Sequence, residues 1–120
     1  MAINRWRFAF WLAVAAVAVG SLTPTPYLPP EVIDIWDKAQ HAVAFAVMAG
    51  LGLLSYPASA RNVALGLVAY GALIEVVQSL AGWRVGDWRD WLADCIGLGI
   101  VYLGGILWKP LRSHGQISAP

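Results

Sequence analysis

Charge is what this chain has least of. Of its 120 residues, 12% are charged and 59% hydrophobic, whereas soluble globular chains carry roughly 25% charged residues. Too few charges remain to cover a water-facing surface, and a mean hydropathy of +0.63 points to a bilayer as the solvent. The net charge is only +1, so the chain has no basic footprint and nucleic acid is excluded as an expected partner. One cysteine, Cys95, excludes an intrachain disulfide. With no cationic residue beside it in the sequence, its expected role is packing. No HExxH or other dense metal motif is present, no Gly-rich loop leads into a helix as a phosphate cradle would, and no serine–histidine–acid set is visible. At this length the chain forms one domain at most.

What is present is apolar sequence in long runs. A spanning helix needs about 20 mostly apolar residues, and four stretches approach that length, at about residues 6–22, 37–56, 62–82 and 90–108. The first stops at a proline-dense segment, Thr23 to Pro30 ("TPTPYLPP"), which cannot continue a helix. The second ends before Pro57 and the fourth at Lys109–Pro110. The third holds a single charge, Glu75. Residues 1–22 also have the outline of a signal peptide, but no small-x-small cleavage site precedes the prolines. A retained first helix is expected. The predicted fold is therefore all-α: a single transmembrane domain, residues 1–108, built as a four-helix bundle. A polar, disordered tail is expected from 109 to 120.

Basic residues set the orientation. Arg5, Arg7, Arg61, Lys109 and Arg112 fall on one side of the predicted spans, and Lys38, Arg84 and Arg89 on the other, among five acids. The first side is expected to be cytoplasmic, with both termini on it. Tryptophans at Trp36, Trp83, Trp88 and Trp91 would belong to the outer interfacial belt, and Trp6 and Trp108 to the inner one.

Polar residues inside the spans are the informative ones. At about 1.5 Å rise per residue, His41, Glu75, Gln78, Asp94 and Asp90 lie roughly 20–28 Å above the inner ends of their helices. Three helices thus bring polar groups to one level in the outer part of the bilayer. A carboxylate such as Glu75 within a span costs several kcal/mol, on the order of 3 or more, unless paired, hydrated or protonated. Asp87, Asp90 and Asp94 are spaced i, i+3, i+7, and so are Asp34, Asp37 and His41; each set falls on one helical face. Asp34 and Asp87 suit helix N-caps. Two facing stripes of oxygen and imidazole ligands leave a divalent cation open as a cofactor; no other cofactor is expected. The glycines at 50, 52, 97, 99 and 104 are expected to let helices approach closely.

Several of these residues form a pattern in order: "DKAQH" (37–41), "EVVQ" (75–78) and "RVGDWRDWLADCIG" (84–97), preceded by the proline segment after the first helix. In this the chain resembles the VanZ-like family of small bacterial membrane proteins, over about residues 6–108. The resemblance implies a polar set at Asp37, Lys38, His41, Glu75, Gln78, Arg84, Asp90, Asp94 and Gly97. It departs at Asp94, where many members carry asparagine, so a family-wide role for that carboxylate is in doubt. The family is named for a protein associated with low-level resistance to the glycopeptide teicoplanin.

The leading expectation is a multi-pass protein of the bacterial cytoplasmic membrane with an outward-facing polar cleft for a lipid-linked or cell-wall component. Lys38 and Arg84 would engage anionic groups there, with Asp37, Gln78 and Asp94 binding. His41, Glu75 and Asp90 are the candidates for acid–base chemistry, if any occurs. A non-enzymatic assembly subunit held together by these polar residues is the second reading. A proton or ion path is the third, and would require an oligomer.

Overall fold

A computed structural model of the chain describes residues 4–23, 35–82 and 87–114, with side chains from 38 onward in the second stretch and up to 105 in the third. The described residues form four α-helices and no strand: α1 (Arg5–Leu22), α2 (Ile35–Ser55), α3 (Ala60–Ala81) and α4 (Trp88–His114). A 3₁₀ turn, Pro57–Ser59, leads into α3.

The helix ends have local causes. The Asn4 side chain caps α1 by accepting the Trp6 backbone N–H at 3.0 Å. Pro57 cannot continue α2 and instead starts the 3₁₀ turn. Gly82, with φ +78°, closes α3 in the left-handed conformation that a Cβ disfavours. Asp87 Oδ1 accepts the Arg89 N–H at 2.9 Å, so the capping expected of Asp87 is what starts α4. The predicted spans match the first three helices to within the usual uncertainty of helix ends. α4 instead continues past the expected end at 108 to His114. Asp34, the proline segment and residues 115–120 lie outside the described residues.

Among the described residues, two helical segments, Arg5–Leu22 and Pro57–Ala81, are long and apolar enough to cross a membrane. Large apolar side chains stand exposed on all four helices, among them Phe8 and Leu12, Val43, Leu73 and Leu80, and Ile100. A water-soluble bundle would bury most of these.

α2 and α4 form the most extensive helix pair; α1 packs on α2, and α3 touches all three others. Lys38 meets Asp90 and His41 meets Asp94, so residue numbers rise together along the pair and the two helices are parallel. Tyr70 meeting Val14 and Gln78 meeting Ser21 make α1 and α3 parallel too. The chain therefore runs up, down, up, down. Gly97 permits the close approach of α2 and α4, since a Cβ there would overlap the Ala42 carbonyl oxygen. Gly52 likewise packs against Val63 and Phe10, whereas Gly50, Gly99 and Gly104 face open space and do not serve the packing role expected of them. The apolar core, Phe10, Phe45, Met48, Ala49, Leu67 and Leu98, lies below the level of His41 and Glu75.

Candidate functional site

The site lies where the N-terminal halves of α2 and α4 meet the C-terminal half of α3. The faces predicted from spacing are the faces that turn inward. His41, Glu75, Gln78, Asp90 and Asp94 are all buried, in a bundle whose outer surface is apolar. Burial of five such groups is costly unless each finds partners, and most of them do.

His41 Nδ1 lies 2.9 Å from Asp94 Oδ1, with both side chains inside the bundle. Such a carboxylate fixes the ring's orientation and favours the proton on Nδ1, as a carboxylate does behind any histidine that acts as a base. Of the carboxylates expected in the cleft, Asp94 is the one that the described residues show bonded to His41. One helical turn nearer the end of the bundle, Lys38 Nζ sits 3.4 Å from both Asp87 Oδ2 and Asp90 Oδ1. Lys38 is thus flanked by two carboxylates, which leaves little positive field for an anionic ligand. At the rim, the Arg89 backbone N–H, with Lys38 adding to it, holds the Asp87 carboxyl below the ordinary carboxylate range.

Glu75 Oε2 accepts the backbone N–H of Asp87 at 2.8 Å, tying α3 to the start of α4. Its other oxygen, Oε1, is buried with no hydrogen-bond partner among the described residues, as are Asp94 Oδ2 and Gln78 Oε1. Asp94 Oδ2 lies against Gly71 of α3: a Cβ there would come within 2.9 Å of it. Gln78 does not join the acids but donates from Nε2 to the Ser21 carbonyl of α1 at 2.6 Å. Asp37 lies in α2 with its side chain outside the described residues, and so does the whole of Arg84.

Among the described residues, four carboxylates (Glu75, Asp87, Asp90, Asp94) thus gather around Lys38 and His41, with Arg89 acting on Asp87 at the rim. Acids outnumber bases in this set. The cluster suits a partner bearing hydroxyl or amino donors better than an anion. A cavity of 290 Å³ opens beside it, walled by Glu75, Ser79, Asp87 and Trp88. Ser79 Oγ donates to the Glu75 carbonyl of its own helix at 2.9 Å, the ordinary bond of a helical serine, so nothing activates it as a nucleophile. No three His, Cys, Asp or Glu side chains among the described residues are grouped to hold a metal ion.

Three contributors escaped the sequence reading. Gly71 seats Asp94, the Ser21 carbonyl holds Gln78, and Trp91, expected at the lipid interface, donates from Nε1 to the Val68 carbonyl at 3.1 Å. Gly71, Glu75 and Gln78 are spaced i, i+4, i+7, and that spacing was the available signal for Gly71. Comparison of the chain with protein-family models, with curated proteins and with solved structures finds no match in any of the three.

Proposed function

We propose that the chain is a multi-pass membrane protein of the bacterial envelope, VanZ-like in its motifs, whose polar cluster binds the donor-bearing headgroup of a lipid-linked or cell-wall component. The observation that carries this reading is the pair of buried, unpartnered carboxylate oxygens, Glu75 Oε1 and Asp94 Oδ2, beside the His41–Asp94 bond. An unsatisfied buried acceptor costs about 1–3 kcal/mol, and a hydroxyl or amino group entering beside Glu75 would relieve it. Apolar side chains exposed on every helix support insertion of all four. The helix order supports the same topology: with the arginine-bearing end in the cytoplasm, the acid cluster lies at the outer end and both termini lie inside. Any effect on glycopeptide tolerance would follow from handling such an envelope component.

The test uses the full chain in lipid nanodiscs with a polyprenyl-linked amino sugar as probe. Saturable binding is expected, weakened at least about tenfold by Glu75→Gln, which replaces one accepting carboxylate oxygen with an amide donor, at unchanged thermal midpoint. Wild-type binding in that variant contradicts the proposal.

A second reading has its own observation. Gln78–Ser21, Lys38–Asp90 and His41–Asp94 each join two different helices, as the polar residues of a membrane assembly subunit would. On that reading Glu75→Gln and His41→Ala lower the unfolding midpoint and the amount of protein in the membrane while no ligand is bound.

A further inference from the structure

At the other end of the bundle lies a second, chemically opposite feature. A groove of 370 Å³ runs between α1 and α3, within the range of about 300–1,000 Å³ usual for small-molecule sites. Phe10, Val63 and Leu67 line its apolar wall, and Gly66 opens it, since a Cβ there meets nothing within 4 Å. Its mouth is basic. Arg7 lies with its guanidinium 4.6 Å from the Tyr56 ring centroid, held there by an Nε–H bond to the Ser55 carbonyl at 3.3 Å. Arg61 sits in the first turn of α3, next to Asn62, which lines the groove.

Among the described residues no acid counters these arginines. All seven acids of the chain lie within residues 31–37 and 75–94, so α1, the Tyr56 region and the first half of α3 contain none. An apolar groove beside two arginines complements a molecule with an apolar chain and an anionic head. We propose that the groove holds one acyl chain of an anionic glycerophospholipid, with the headgroup phosphate against Arg7 and Arg61. An acyl chain gains little by leaving other acyl chains for an apolar groove, so the arginines must supply the selectivity. The inference shares with the proposed function only the insertion of the bundle in a bilayer.

The experiment uses the full chain in neutral detergent, offered equimolar phosphatidylglycerol and phosphatidylcholine of identical chains, with bound lipid read by native mass spectrometry. Phosphatidylglycerol is expected to be retained over phosphatidylcholine by about fivefold, the effect of one basic residue at an anionic surface. Arg7→Gln should bring the two lipids toward parity. Gly66→Leu, which extends into open space, should lose both lipids at unchanged thermal midpoint. Excess glycerol 3-phosphate, a headgroup without a chain, should displace neither. Equal retention by the wild type, or undiminished retention by Gly66→Leu, would overturn the proposal, as would displacement by glycerol 3-phosphate. Glu75→Gln should keep its phosphatidylglycerol; loss there would overturn the groove as a site separate from the polar cluster, whereas failure of the amino-sugar probe alone leaves the groove standing.

Discussion

Two pairs of parallel helices, α2 with α4 and α1 with α3, are joined by different chemistry. The α2–α4 seam is closed by a glycine and bridged by ionisable side chains, Lys38 to Asp90 and His41 to Asp94. The α1–α3 seam is bridged by neutral side chains bonding to backbone carbonyls, Tyr70 to Val14 at 2.5 Å and Gln78 to Ser21, and it leaves a groove. Side chain to backbone bonds hold helices together without committing a charge. Side chain to side chain bonds between acids and bases carry a larger desolvation cost, and here they leave carboxylate oxygens over. A seam built only to hold helices could have been made in the first way throughout. That charged bridges appear near a cavity walled by Glu75 and Asp87 is the reason for reading that end as the site of polar chemistry, and the α1–α3 groove, walled by Phe10, Val63 and Leu67, as a place for an apolar chain.

The largest expected effect comes from opening the tight seam. Gly97→Val drives a branched side chain into the Ala42 carbonyl and should cost about 3 kcal/mol or more, read as a lowered unfolding midpoint in detergent. Gly66→Leu at the loose seam should cost close to nothing. Equal losses would erase the contrast between the seams.

Next comes the buried pair. Asp94→Ala should cost on the order of 2 kcal/mol, between the values for breaking a buried ion pair in water-soluble proteins and for interhelical bonds in membranes. Asp94→Asn, which can still hydrogen-bond His41, should cost about half as much. A double-mutant cycle of His41→Ala with Asp94→Ala should show coupling above about 0.5 kcal/mol; strict additivity would dissolve the pair.

The neutral bonds should matter less. Tyr70→Phe removes one hydroxyl donor and should cost about 1 kcal/mol, with no change in lipid-linked probe binding. A loss of binding there would extend the site across both seams.

The smallest effect is at the rim. Because the Asp87 carboxyl is held below its ordinary value in the folded chain, its contribution is fully present above the unfolded carboxylate pKa of about 3.9. It is lost as pH falls through the lowered folded value. The wild-type unfolding midpoint should therefore decline more steeply than that of Asp87→Asn on the acid side. Parallel acid limbs in the two proteins would remove Asp87 from the network.

Sequence periodicity reached as far as faces. His41, Glu75, Asp90 and Asp94 all point inward because apolar runs left their polar residues on one side, and simple rise per residue placed them at one depth. Capping at Asp87 was legible because a cap is local. Partners were not. That His41 finds Asp94 depends on α2 and α4 lying parallel and close, which rests on Gly97 and Ala42, residues distant in the chain. Gln78 shared a face with Glu75 yet serves α1, because its position one turn further along α3 brings it to a different neighbour. The groove was invisible for the same reason: no local pattern records where two helices fail to meet.

In the proposed topology the acid-bearing end opens to water outside the cell while the arginine-bearing end faces the cytoplasm. Ser79 walls the polar cavity and Asn62 the opposite groove. Single cysteines at these two positions, in a Cys95→Ala background, can be treated in intact cells with a membrane-impermeant maleimide. The account predicts labelling of Ser79→Cys and none of Asn62→Cys until the cells are opened; labelling of Asn62→Cys alone in intact cells, or of neither after opening, contradicts it.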